Sequence, residues 1–240
     1  MPIYKIKLSD RKMVAKETML FTFEKPSNFI FKPGQFGDFT ITNPAETDAK
    51  GNIRGFSIAS PPSSNQIMIT TRLRNTAFKS MLQKLPIGTE FIFDAPYGSF
   101  TLHHNQTTPA VFIAGGIGIT PVRSILLQAA ADKLSNKIYL FYFNHNPKTT
   151  AFLEELQALE KQNPNFKFIP VMTSVEESNT SWSGETEHIN CKILSKYIAD
   201  LTAPIYYISG PAAMVAAAHK KLNECGIDDD IIRTEEFSGY

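Results

Sequence analysis

The stretch Ala110-Val111-Phe112-Ile113-Ala114-Gly115-Gly116-Ile117-Gly118-Ile119-Thr120-Pro121 decides how the chain is read. An apolar run of strand length passes directly into glycines. Val122, Ile125, Leu126, Ala129 and Ala130 then recur at helical spacing. Thr120 reads as an N-cap and Pro121 as the first helical residue. In a strand–glycine–helix unit the backbone can approach a pyrophosphate, which the helix N-terminus attracts through free N–H groups and its dipole. The loop departs from the GxGxxG of ordinary dehydrogenases, because Pro121 stands where the third glycine is expected. A tight turn that is merely glycine-rich is the competing reading, and the loop's place at the head of an alternating series weighs against it.

Downstream of the loop, Ile138–Phe143, Phe168–Met172 and Ile205–Ile208 read as strands. Phe152–Leu159, Ile193–Leu201 and Ala212–Leu222 read as helices, and Ile231–Phe237 as a closing extended run. This alternation implies right-handed βαβ units, hence a doubly wound parallel sheet of about five strands. Ser174–Glu187 is polar and reads as a loop.

Upstream the grammar differs. Ile3–Leu8, Met19–Phe23, Phe36–Ile41, Ile67–Leu73 and Glu90–Phe93 are rich in β-branched and aromatic residues, with turns at Lys32-Pro33-Gly34 and Pro86-Ile87-Gly88. Ala77–Leu85 is the one short helical candidate. The expected architecture is therefore two domains: an antiparallel β-barrel over 1–104 and an α/β domain over 109–240, with the polar 103–109 between them.

Composition narrows the functional classes. Basic and acidic residues number 24 and 23, for a net charge of +1. That balance argues against a non-specific grip on nucleic acid or on an anionic membrane. Cys191 and Cys225 are the only cysteines, too few for an iron–sulfur cluster, and nothing marks a metal site. Both are expected to be reduced. The N-terminus has no apolar signal region and no stretch is long enough to span a bilayer, so the expectation is a soluble cytoplasmic protein.

Five segments, in order, resemble the ferredoxin–NADP reductase superfamily of FAD- and NAD(P)-binding oxidoreductases. Arg54-Gly55-Phe56-Ser57-Ile58-Ala59-Ser60 is similar to the RxYSxxS flavin motif, and Asp94–Phe100 to the GPxGxF turn. Gly115–Pro121 matches GGxGxTP, Ser209–Met214 is similar to CGPxxM, and Glu235-Glu236-Phe237 matches the EEF-type ending. The resemblance implies a role for each matched residue. Arg54 and Gly55 would meet the flavin phosphates, Phe56 would stack on the isoalloxazine in place of the usual Tyr, and Ser57 would stand near flavin N5. Arg72, Thr76, Ala77 and Phe78 would contribute to the pyrophosphate site, although the family's glycine is absent there and Lys79 replaces a small hydroxyl residue. Gly115, Gly116, Gly118, Thr120, Pro121, Gly210 and Pro211 would hold the nicotinamide nucleotide. Ser209 takes the place of a common Cys beside the nicotinamide, while Met214 reads as core packing. Glu235 and Phe237 would complete the hydride-transfer site, with Tyr240 as the other aromatic able to cover the ring.

The implied activity is a flavin-dependent NAD(P)H reductase. It would carry FAD rather than FMN, use NADH or NADPH, and pass electrons to a separate acceptor: a ferredoxin, a flavodoxin, an oxygenase component or a small oxidant. The alternative is a flavin-binding electron-transfer or regulatory subunit without productive NAD(P)H oxidation. His145 stands where an Arg would mark NADPH, which points toward NADH. His103, His104 and His219 read as surface residues.

Overall fold

The structure is a computed structural model that describes residues 2–175 and 181–237. Its first sheet contains β1 (Ile3–Ala15), β2 (Thr18–Glu24), β3 (Phe36–Ile41), β4 (Ile53–Ser57), β5 (Gln66–Arg72) and β6 (Glu90–Tyr97), with α1 (Ala77–Lys84) between the last two. The strand order is β4-β3-β6-β1-β2-β5, antiparallel throughout. The long β1 pairs with β6 through residues 3–7 and with β2 from Leu8 onward, so one strand serves both halves of the curl. The end strands β4 and β5 approach each other without a ladder, and Ala59 N–H donates across the gap to Met68 O at 2.7 Å. The sheet is thus barrel-like but not closed.

Period-two alternation sends Phe39 and Ile41 of β3 and Phe91 and Phe93 of β6 inward. There they meet Phe21, Phe23, Phe29 and Phe78 in a phenylalanine-rich core. Burying such a side chain contributes roughly 1.5–3 kcal/mol, so this core is a large part of what holds the curl together.

The second sheet has β7 (Ala110–Gly115), β8 (Ile138–Asn144), β9 (Phe166–Met172), β10 (Ile205–Pro211) and β11 (Ile232–Phe237), in the order β11-β10-β7-β8-β9 and all parallel. Both faces are covered. On one side α2 (Ile119–Ala131) and α3 (Leu153–Gln162) pack on Ala110, Phe112 and Ala114. On the other, α4 (Cys191–Tyr197) and α5 (Ala212–Glu224) pack on Val111 and Ile113. Chain order reverses between β7 and β10, and in sheets of this kind ligands bind at that point, beyond the strands' C-terminal ends.

Several expectations are corrected. A 3-10 turn, Gly116–Gly118, precedes α2, which therefore starts at Ile119. Thr120 is not its N-cap; its hydroxyl donates back to Ile117 O at 3.0 Å, and Pro121 lies within the first turn. Cys191 and Cys225 are joined in a disulfide between the start of α4 and the residue after α5, rather than being reduced. The helix expected to run to Leu201 ends at Tyr197. His103 is not a free surface residue: its ring stacks on Tyr207 and lies 3.0 Å from that hydroxyl and 2.9 Å from Thr108 O.

The two sheets are locked by a residue that sequence reading passed over. Arg123 of α2 is buried and donates to Ala59 O at 2.7 Å, and it forks onto both Glu155 carboxylate oxygens at 3.1 and 2.7 Å. Ser124 adds a 2.7 Å bond to Ser60 O. No described helix is long and apolar enough to cross a membrane.

Candidate active site

Two clefts open where the sheets meet. The smaller, 210 Å³, is lined by Arg54, Gly55, Phe56 and Ser57 of β4, by Thr70, Thr71 and Arg72 of β5, and by Arg74, Thr76 and Lys79 around the start of α1. Ile117, Thr120 and Phe237 close it from the other sheet. It gathers five cationic side chains, counting Lys50, and its cationic character is felt within it. Burial, then the neighbouring Arg74, Arg54 and Lys50, push the Lys79 ammonium down to about 8. Such crowding of like charges suits an anionic ligand. Phe56 is half-buried, packed on Phe39 and Phe78 at centroid distances of 5.8 and 5.9 Å. The hydroxyls of Ser57 and Thr70 are buried and have no hydrogen-bond partner. A buried hydroxyl without a partner is costly in a native fold, and two in one cleft mark where a polar ligand edge fits.

The larger cleft, 720 Å³, lies over the β7–β10 crevice and is lined by Gly115, Gly116, Phe143, Asn144, His145, Pro211 and Met214 among others. Arg72 and Arg74 line both clefts. The Arg72 guanidinium reaches to 3.2 Å from where a Cβ on Gly116 would stand, so a side chain there would press on it. Gly116 also has φ +52°, a conformation that favours glycine.

Gly118 faces neither cleft; a Cβ there would lie 2.1 Å from Ser209 O, so this glycine is needed for close packing of the turn on β10. Pro121 is buried in α2, and Phe78 is fully buried beneath Arg54, whose guanidinium carbon lies 5.3 Å from its ring centre. Ala77 offers its N–H at the α1 N-terminus, where it is taken by Asp48 Oδ2 at 3.1 Å. Gly210 abuts Gly115 and Met214. Met214 combines core packing with a place in the cleft wall, so reading it as core alone is incomplete. Tyr240 lies outside the described residues.

Ser209 and Glu235 are register partners on β10 and β11, and both carry buried oxygens without partners. Burial pushes the Glu235 carboxyl up to about 7. The larger cleft also contains His188, Lys220 and Lys221, which sequence reading missed; they come from a loop and a helix far from the glycine turn in sequence.

Residues 112–220 match the family described as the oxidoreductase NAD-binding domain. The fold agrees with two solved structures over nearly their whole length. One is the flavohem-like FAD/NAD-binding domain of nitric oxide dioxygenase from Vibrio cholerae, with TM-score 0.81, 18% identity, and coverage of 97% of this chain and 98% of that one. The other is a ferredoxin NADP+ reductase from Neisseria gonorrhoeae with bound FAD and NADP, with TM-score 0.79, 21% identity and 98% of each chain covered.

The chain thus has the two-sheet fold of these FAD- and NAD(P)-binding proteins, and its second half matches an oxidoreductase NAD-binding domain.

Curated relatives include the reductase component of propane 2-monooxygenase from Rhodococcus jostii, 26% identical over 89% of this chain and 57% of the relative. Another is the glycine betaine monooxygenase reductase of Chromohalobacter salexigens, 25% identical over 92% and 60%. The chain spans a little over half the length of these relatives.

Proposed function

We propose that the protein is a flavin-dependent NAD(P)H reductase that hands electrons to a separate acceptor. The observation that carries this reading is the junction of the two clefts: a cationic, aromatic-walled one and a glycine-floored one share Arg72 and Arg74. Each fits half of a hydride transfer. The flavin accepts two electrons at once and releases them singly, which is the chemistry the bound group supplies.

The chain's own residues provide alignment and electrostatics. In the small cleft, Phe56 offers a ring face to the isoalloxazine, while Ser57 and Thr70 offer hydroxyls to its polar edge. Arg54, Gly55, Arg72, Thr76 and Lys79 form the phosphate side. Gly115, Gly116 and Pro211 floor the dinucleotide cleft, and Thr120 and Phe237 stand at the junction. Ser209 and Glu235 line neither cleft, and the resemblance assigns them to the hydride-transfer site. With its carboxyl up at about 7, Glu235 can hold a proton at neutral pH at its otherwise unpartnered oxygen. FAD as the flavin follows the solved structure that holds FAD and NADP, and a protein acceptor of the oxygenase-component type follows the curated monooxygenase reductases.

Anaerobic addition of NADH or NADPH to the flavin-loaded protein tests the proposal. Bleaching of the flavin band is expected with at least one of them. A loaded protein that stays yellow with both would instead support a flavin-binding subunit without NAD(P)H oxidation.

A further inference from the structure

An anion of the chain's own is already seated on Arg54, a lining residue of the small cleft. Asp48 lies in the loop between β3 and β4. Its Oδ1 is 2.9 Å from Arg54 Nη2, and its Oδ2 accepts from Ala77 N–H at 3.1 Å. It thus bridges the β4 arginine and the first N–H of α1, the two donors that the resemblance assigns to flavin phosphates. Hydrogen bonds from Lys50 N–H and Ala77 N–H, together with Arg54, hold this carboxyl below its usual range. Arg54 has little to spare, since its Nη1 is spent on the carbonyls of Lys50, Gly51 and Ile53 at 2.7–2.9 Å. One guanidinium edge and one N–H cannot serve a carboxylate and a phosphate together. That the site is built for a ligand is seen independently in the buried, unpartnered hydroxyls of Ser57 and Thr70 lining the same cleft.

We propose that Asp48 is an internal competitor for the phosphate seat and sets how tightly the protein holds phosphorylated flavins. The inference rests on the flavin reading above and deepens it. The loop is suited to moving aside: Glu46, Thr47, Ala49 and Lys50 are exposed or half-buried, and Gly51, at φ +68°, has open space around it. Binding a flavin phosphate would then exchange one charge-assisted pair for another, and affinity would be lower than the cationic lining alone predicts. Riboflavin has no phosphate and would not compete with Asp48.

The test is titration of the full chain, stripped of flavin, with FAD, FMN and riboflavin, for wild type, Asp48→Asn and Asp48→Ala. The expected result is FAD and FMN binding about tenfold tighter in both variants, the scale of one charge-assisted hydrogen bond, with riboflavin affinity unchanged. Unchanged or weaker FAD binding in variants that still take riboflavin like wild type would overturn the proposal and leave the flavin reading standing. Loss of riboflavin affinity in both variants would also overturn it, making Asp48 a structural brace. A wild-type protein that binds none of the three flavins would remove the flavin reading itself, and this inference with it.

Discussion

The two clefts differ in what lines them. The larger cleft is floored by backbone, Gly115 and Gly116 at the end of β7, with Arg72, Arg74, Lys220 and Lys221 standing in its walls. The smaller cleft, proposed above for the flavin, is lined by side chains, and one of these, Arg54, is already engaged by Asp48. Backbone sites are fixed by sterics and tolerate little change in shape. Side-chain sites are fixed by charge and respond to pH, salt and competing anions. Substitutions should therefore act all-or-none in the first cleft and in graded fashion in the second.

The largest expected effect tests the steric side. Gly118→Ala places a Cβ 2.1 Å from Ser209 O, where the neighbour is backbone of a central strand and cannot give way. Backbone φ at Gly118 is −57°, so the penalty would be purely one of contact. NAD(P)H-dependent flavin reduction should fall by about a hundredfold or more, in line with the ~3 kcal/mol upper range for overpacking. Flavin affinity should hold. Measuring KM for the dinucleotide alongside flavin Kd separates the two, and equal losses in both would mean that the clefts are not distinct.

The disulfide belongs wholly to the dinucleotide half. It joins residues 34 apart, next to His188 and Ile189 on one cleft wall and Glu224 on the other. In the chain-entropy treatment a loop of this length contributes about 3–4 kcal/mol by constraining the unfolded chain. Cys191→Ser with Cys225→Ser, or reduction by a dithiol, should lower Tm by roughly 6–16 °C for a chain of this size. Thermal unfolding with and without reductant checks this. An unchanged Tm, with two thiols titrating in the untreated protein, would return the cysteines to the reduced state first expected.

These contrasts also explain what could be read from the sequence. Alternating Phe and Ile in β3 and β6, and unbroken apolar runs in β7, state their burial directly, so most strands were legible, although β1 runs seven residues past the Leu8 at which it was expected to end. β4 was not recognised as a strand because Ile53-Arg54-Gly55-Phe56-Ser57 is short, lies at a sheet end and follows no alternation. Arg123 looked like an ordinary helical arginine; only the approach of Ala59 and Glu155 from distant segments gives it a role. The Cys191–Cys225 bond depends on how α4 and α5 pack, and Asp48 on where a loop folds back. The glycine motifs could be read because their physics is local, whereas pairings across tens of residues leave no local trace.

The smallest effect tests the charged side. Lys79 has its pKa lowered from 10.5 to about 8, chiefly by burial and then by Arg74, Arg54 and Lys50. Such a lysine resists charging in the folded protein. Its contribution to stability is present above the ordinary lysine value and is lost as pH falls from there through about 8. A bound diphosphate reverses the preference by favouring the ammonium. Flavin uptake above pH 8 must then bring a proton with it, and affinity for FAD should fall by about fivefold to tenfold between about pH 7 and pH 9, since one pKa unit is worth ~1.4 kcal/mol. Lys79→Gln should bind FAD more weakly at neutral pH and lose this slope. Riboflavin should show the slope in neither protein. Gly118→Ala, whose defect is steric, should keep the wild-type slope for FAD; a flattened slope there would mean that the backbone cleft and the charged cleft are coupled after all.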